Sequence, residues 1–229
     1  MTRHALVTGV SSGIGLATAR RLLDDGWAVT GLSRGEPPLD HDRLTWLATD
    51  LGDLEALRDT VTGLSTVDAV VHAAGLQRSA QLGSLSTEDG AAMWRVHVEA
   101  ASVLVDAVAP TLPRGARVVL IGSRTMTGVA GKSQYAATKA ALVGMARSWA
   151  MELVDRAITV NVVAPGPTDT PMLRDPGRAA TPPRLPPMGA LIDPAEIAGT
   201  VAFLLGPDAR SVTGQTLVVC AGASLGITR

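Results

Sequence analysis

The sequence predicts an α/β fold: a doubly wound, mostly parallel sheet with helices on both faces. Three observations predict it. Short apolar runs of strand type alternate with helical stretches along the whole chain, the pattern of parallel strands joined by crossovers. The first run, Ala5-Leu6-Val7, feeds a glycine-rich turn and then a helix. The 229 residues are 46% hydrophobic but only 3% aromatic, enough for one full core of aliphatic side chains and alanine. The expectation is a single domain over 1–229, without internal repeats or boundaries.

Composition narrows the partners. A net charge of −1 gives no reason to expect nucleic acid or an anionic membrane. Cys220 is the only cysteine, which excludes an internal disulfide and a cysteine-based metal cage and suits the cytoplasm. Met1-Thr2-Arg3-His4 runs straight into a strand, with no apolar segment long enough for a signal peptide or membrane span.

The turn after the first strand reads Thr8-Gly9-Val10-Ser11-Ser12-Gly13-Ile14-Gly15. Between strand and helix, this is the context of a dinucleotide-binding turn. Gly9 permits the bend, Gly13 lets backbone approach a pyrophosphate, and Gly15 lets helix and strand pack closely. The free N–H groups at the helix start favour phosphate. Ile14, Ala17, Leu22 and Leu23 are the expected buried side, and Gly26 the stop.

The second strand, Ala28-Val29-Thr30-Gly31-Leu32, ends at Ser33-Arg34. A carboxylate there would grip a ribose 2′-hydroxyl, whereas arginine accommodates a 2′-phosphate. None occurs before Glu36, so NADP(H) is favoured over NAD(H).

The stretch 36–42 is too short for a crossover helix. Leu44-Thr45-Trp46-Leu47-Ala48 reads as the third strand, ending at Asp50-Leu51, and 53–64 as a helix. Asp68-Ala69-Val70-Val71 is the fourth strand, entering His72-Ala73-Ala74-Gly75. One helix is expected over 86–109, capped by Ser86 or Thr87. Arg117-Val118-Val119-Leu120-Ile121 is the fifth strand, ending at Gly122-Ser123; a helix covers 135–154 and the sixth strand 158–163, broken by Pro165-Gly166. The stretch 167–192 is rich in proline, glycine and arginine without a clear period, the mark of a functional lid. Asp193-Pro194-Ala195-Glu196 starts a helix with Asp as N-cap, Pro at the first position and Glu at the third. The last strand is 216–219.

Tyr135-Ala136-Ala137-Thr138-Lys139 carries the chemistry. Positions i and i+4 share a helix face, so the phenol and ammonium lie one turn apart. A free phenol, with a pKa of about 10, is a poor acid or base at neutral pH. A neighbouring positive charge would bring it toward the working range. Tyr135 is the only tyrosine, and Lys132 and Lys139 are the only lysines.

Together these motifs resemble the short-chain dehydrogenase/reductase family along nearly the whole chain. Thr8 to Gly15 match the cofactor turn, Asp50-Leu51 the residues beside adenine, and His72 to Gly75 the family's Asn-Asn-Ala-Gly. Ser123, Tyr135 and Lys139 match the catalytic residues, and Pro165-Gly166-Pro167-Thr168-Asp169-Thr170 the segment beside nicotinamide. The resemblance implies a seven-stranded Rossmann sheet, a nicotinamide dinucleotide bound without metal, and a homotetramer or homodimer built on the two long helices. It also implies the roles: Ser123 would hydrogen-bond the substrate oxygen and Tyr135 exchange a proton with it. Lys139 would lower the tyrosine pKa and hold the nicotinamide ribose.

Four departures stand out. His97 occupies the place of a family asparagine whose main-chain carbonyl, freed by a helix distortion, holds a water leading to the lysine. Its reading is open between a proton-relay role and a satisfied buried histidine. Ala73 replaces the second asparagine, the crossover after Arg34 is short, and Val219-Cys220-Ala221-Gly222 replaces the family's Val-Asp-Gly-Gly. The function expected is an NADPH-dependent reductase of a ketone or 3-oxoacyl thioester. Arg174, Arg178 and Arg184 are available for an anionic carrier or carboxylate. The alternative is a dinucleotide-binding sensor or assembly subunit without turnover.

Overall fold

Strands His4–Thr8 (β1), Ala28–Ser33 (β2), Leu44–Ala48 (β3), Ala69–His72 (β4), Arg117–Ile121 (β5), Thr159–Pro165 (β6) and Thr216–Val219 (β7) form one sheet. The order is β3-β2-β1-β4-β5-β6-β7 and every pairing is parallel. The computed structural model describes residues 2–182 and 184–225. The ends of the 1–229 expectation, and Pro183 within 167–192, lie outside the described residues.

The strand residues alternate between two cores, as the two-residue period of a strand requires. Leu6, Val70, Val118, Leu120, Val160 and Val162 face one side. Ala5, Val7, Ala69, Val71, Val119, Ile121 and Val163 face the other. The first core is closed by Leu54–Thr62 (α2), by Ala100–Val108 (α4), which follows Thr87–Trp94 (α3), and by Ser133–Leu153 (α5). The second is closed by Gly13–Asp24 (α1) and Pro194–Leu205 (α6). The chain winds outward from β1 to β3, then returns to start β4 on the other side of β1. That reversal opens a crevice beyond the carboxyl ends of β1 and β4, where open parallel sheets bind ligands.

The expected elements are present, with four differences. The buried stripe of α1 runs through Gly15, Thr18, Ala19, Leu22 and Leu23, leaving Ile14 and Ala17 half-buried. Gly15 sets that rotation: a Cβ there would stand 2.2 Å from Gly9 O, so the helix touches the turn along this line. The helix expected over 86–109 is interrupted by a π-helical turn at Arg95–Glu99, and Ser86 caps its start. The Tyr135 helix begins earlier, at Ser133. Pro165 ends β6 instead of breaking it: the pairing with β5 stops at Ile121 and Val163, so the missing N–H costs no ladder bond on that side.

No helix joins β2 to β3. Arg43 fastens the short connection instead, donating from Nε to Trp27 O (3.2 Å) and from Nη2 to Leu23 O (2.8 Å). The 167–192 segment is pinned at its base, where Ile192 N–H donates to Pro167 O and Asp169 N–H to Ile192 O, both at 2.9 Å. It carries two 3-10 turns, Pro171–Arg174 and Pro176–Arg178. Asp193 and Glu196 form the full capping box of α6. Among the described residues no helix is long and apolar enough to cross a membrane.

The Gly15 contact gives a stability prediction. Gly15→Ala forces a methyl against the Gly9 carbonyl, an overpacking that costs about 1–3 kcal/mol. The urea midpoint should fall by the matching amount with an unchanged m value. An unshifted midpoint would show that α1 can back away from the turn.

Candidate active site

The crevice is lined by backbone held too close for side chains. Gly9 and Gly13 have φ of +75° and +57°, a region that glycine alone enters without strain. A Cβ on Gly9 would lie 2.9 Å from Ala74 Cα, and one on Gly13 would lie 3.1 Å from Thr170 Cγ2. One on Gly75 would lie 2.8 Å from His97 Nε2 and 3.8 Å from Lys139 Nζ. Gly166 has the same intolerance, 2.7 Å from Cys220 Cα. The segments after β1, β4 and β6 thus converge on one groove. Thr8 is the tie that the sequence reading missed: its Oγ1 accepts the N–H groups of Ala73 and Ala74, both at 3.0 Å.

The cofactor candidates divide by availability. Ser12 is the N-cap of α1 but makes no side-chain capping bond, so its exposed hydroxyl remains free beside the open N–H groups of the first turn. Ser11 is half-buried and abuts Gly35. Arg34 is exposed at the end of β2. Ser33, a cofactor-binding candidate at the end of β2, is buried; its Oγ donates to Gly35 O (2.7 Å) and accepts from Trp46 Nε1 (3.1 Å). It shapes the loop that carries Arg34. Asp50 is exposed, one oxygen accepting Gly52 N–H (2.9 Å), while Leu51 turns into the core. Thr168 is buried and donates to Gly166 O at 3.1 Å. Glycine cradle and open helix N-terminus together fit a dinucleotide, with Arg34 exposed where β2 ends.

Ser123, Tyr135 and Lys139 come together at the mouth of this groove, and all three are buried. Ser123 caps the 3-10 turn Arg124–Thr127, its Oγ accepting Thr125 N–H (3.2 Å) and sharing a hydrogen bond with Thr125 Oγ1 (2.9 Å). Lys139 Nζ stands 5.9 Å from the Tyr135 ring centre and donates to Ile121 O at 2.8 Å. Burial brings Lys139 down to about 7. Burial also raises the phenol of Tyr135, against the pull of the Ser123 hydroxyl and the Arg178 guanidinium. The expected lowering by Lys139 is not found: desolvation dominates, and the opposing pull comes from Ser123 and Arg178.

The π-turn at Arg95–Glu99 supplies the helix distortion, and two histidines lock it. His72 Nε2 lies 3.1 Å from Val96 O and Nδ1 lies 3.1 Å from Thr8 Oγ1. A carbonyl can only accept, so His72 donates from Nε2 and accepts the Thr8 proton at Nδ1. His97 Nε2 accepts Leu76 N–H (3.1 Å), leaving Nδ1–H to donate to Thr138 Oγ1 (2.8 Å). Thr138 in turn donates to Tyr135 O at 2.9 Å. The His97 ring meets the Tyr135 ring edge-on, with centres 5.6 Å apart. Both nitrogens of His97 are thus occupied in positioning Leu76 and the Tyr135 turn. Thr138 was legible in principle, one helical turn from Tyr135 at i+3, but its partner lies 41 residues away.

An open parallel sheet with a phosphate turn at its reversal, and a Tyr-x-x-x-Lys pair on the helix after β5, defines a class of nicotinamide-dependent oxidoreductases. A family model described as enoyl-(acyl carrier protein) reductase matches residues 9–224. The chain belongs to the short-chain dehydrogenase/reductase family. It is 36% identical over 234 residues to the 3-oxoacyl-(acyl-carrier-protein) reductase FabG of Vibrio cholerae, covering 95% of this chain and 96% of that one. It is 34% identical over 241 residues to the (2S)-((R)-hydroxy(phenyl)methyl)succinyl-CoA dehydrogenase subunit BbsD of Thauera aromatica, covering 97% of each. The crystal structure of a blue fluorescent protein from a metagenomic library in complex with NADPH matches with a TM-score of 0.84 at 33% identity. That match covers 97% of this chain and 98% of the other.

The histidine pair makes stability depend on pH. Burial, with the Lys139 charge, pulls His72 down to about 3 and His97 well below its ordinary value, so both are neutral in the fold. Unfolded, each binds a proton near pH 6.5. Below that pH the unfolded chain holds more protons, so stability falls as pH falls through the window from about 6.5 to about 3. The slope approaches roughly 1.4 kcal/mol per pH unit for each histidine. His72→Gln, whose terminal amide reaches the place of the imidazole Nε2 and can still donate to Val96 O, should show a shallower fall of the urea midpoint between pH 7 and 5. Identical slopes would mean that His72 does not titrate on unfolding.

Proposed function

We propose that the protein is an NADP(H)-dependent oxidoreductase interconverting a ketone, or a 3-oxoacyl thioester, with its secondary alcohol. The convergence of Ser123, Tyr135 and Lys139 beside the glycine-lined groove carries this reading. Bound nicotinamide supplies the hydride. Ser123 holds the substrate oxygen, and the buried phenol, kept protonated at neutral pH, donates its proton to that oxygen in the reducing direction. The phenolate left behind is stabilised by the Ser123 hydroxyl and by the Arg178 and Lys139 charges. Lys139 also holds the ribose, and His97 acts as a positioning residue through Thr138. A sensor without turnover would have no use for this set of buried, mutually oriented groups.

Arg34, with Ser11, Ser12 and the start of α1, would hold the adenosine and phosphate side of the cofactor, and Thr168 and Thr170 would line the nicotinamide side. The 167–192 segment is the substrate lid of a single cytoplasmic domain. A homotetramer or homodimer through the α3–α4 and α5 faces is supported by the exposed Trp94, Met151 and Val154.

Two substitutions test the assignment. Tyr135→Phe preserves the ring and removes only the acid, so turnover should fall by about two orders of magnitude or more while NADPH affinity stays the same. A variant that kept most of its turnover would end the role of Tyr135 as proton donor. Arg34→Ala should weaken NADPH binding and spare NADH, removing charge-assisted bonds worth roughly 1.5–3 kcal/mol before screening. Equal wild-type affinities in parallel titrations with both cofactors would sink the NADP preference.

A further inference from the structure

Arg178 closes the second 3-10 turn of the 167–192 segment, and it is only 7% exposed. The other two arginines of the segment differ: Arg174 is exposed and paired with Asp169, and Arg184 is exposed. Arg178 Nε has no hydrogen-bond partner among the described residues. Its guanidinium makes one long bond, from Nη1 to Met172 O at 3.4 Å. A buried guanidinium with open donors is unfavourable unless a ligand fills them. The nearby carboxylate does not: both oxygens of Asp175 accept from Arg78 Nη1 at 3.2 Å, and Oδ1 also accepts Gly177 N–H at 2.7 Å.

The turn is fastened to two segments, one following β4 and one leading into the Tyr135 helix. Ser79 N–H donates to Gly177 O (3.0 Å), and Thr181 Oγ1 donates to Ser79 Oγ (2.8 Å), on the segment after β4. On the segment leading into α5, a Cβ on Gly131 would lie 2.6 Å from Thr181 Cγ2. Arg124, next to Ser123, and Lys132, one turn before Tyr135, complete a group of three cations. Burial and the charges of Arg178 and Arg124 push Lys132 down to about 8. A chain of net charge −1 thus gathers positive charge beside its candidate proton donor.

We propose that Arg178 determines specificity by receiving a carboxylate on the same small molecule that carries the reacting carbonyl, making oxo acids and hydroxy acids the substrate class. The inference rests on the oxidoreductase reading of Ser123, Tyr135 and Lys139. A guanidinium presents a planar fork of donors that matches a carboxylate in two parallel bonds. Its burial selects a group that enters the pocket with the substrate over one displayed on a carrier's surface. The carboxylate is unchanged in the reaction. The carbonyl carbon gains hydride and its oxygen gains the Tyr135 proton, while the cofactor is oxidised.

The test is a matched panel of 2-, 3- and 4-oxo acids and their methyl esters, followed by NADPH oxidation with wild type, Arg178→Met and Arg178→Lys. Wild type should favour at least one acid over its ester by tenfold or more in kcat/KM. Arg178→Met should lose that preference, the acids falling at least tenfold further in kcat/KM than their esters, and Arg178→Lys should recover part of it. Preference for esters in wild type, or an equal loss on acids and esters in Arg178→Met, would overturn the proposal. Calorimetric titration of the acids into the NADP+ complex needs no turnover. Binding lost in Arg178→Met without any NADPH oxidation would uphold the carboxylate site and refute the oxidoreductase reading. Turnover of the panel with Arg178→Met indistinguishable from wild type would do the reverse.

Discussion

One hydroxyl, that of Thr8, joins the two strands on which the groove is built. It takes the N–H groups of Ala73 and Ala74 and gives its own proton to His72. His72 passes the constraint on by donating to Val96 O in the π-turn. The end of β1, the end of β4 and the helix that follows are thereby fixed relative to one another where the sheet reverses direction. No ordinary ladder bond can do this, because the ladder ends where the strands do. A buried side chain that satisfies several backbone donors at once is the economical substitute.

The buried ions show the other side of that economy. Lys139 is drawn out of water and held by a single main-chain oxygen, and Tyr135 lies beside it with its phenol raised. Neither arrangement stabilises the fold for its own sake, since a charge in a poorly polar site is disfavoured in proportion to its burial. What the burial provides is strength: fixed dipoles and charges act further when water does not screen them. Groups that weaken a fold and sharpen a site are expected where chemistry is done.

Most of the fold was legible because its signals are local. Strand runs, the Asp193–Glu196 capping box and the glycine turn each lie within a few residues, and each forms where expected. Tyr135 and Lys139 were legible for the same reason, their spacing and helix being fixed within one turn. What the sequence concealed depends on long-range contacts. Ser33 turns inward because Trp46 of the neighbouring strand supplies its donor. Ile14 and Ala17 are only half-buried because Gly15 sets the helix rotation through a carbonyl on the preceding turn. Three lid arginines read alike in sequence, and only the packing of 175–181 against 77–81 and Gly131 buries one of them.

The missing helix between β2 and β3 leaves Leu39, Leu44 and Trp46 to cover that end of the sheet. Trp46 does so with its indole N–H on Ser33, the residue directly before Arg34. The placement of the loop that carries Arg34 therefore depends on this indole. With no crossover helix over this edge, a single indole of the outermost strand does the work of a packed layer.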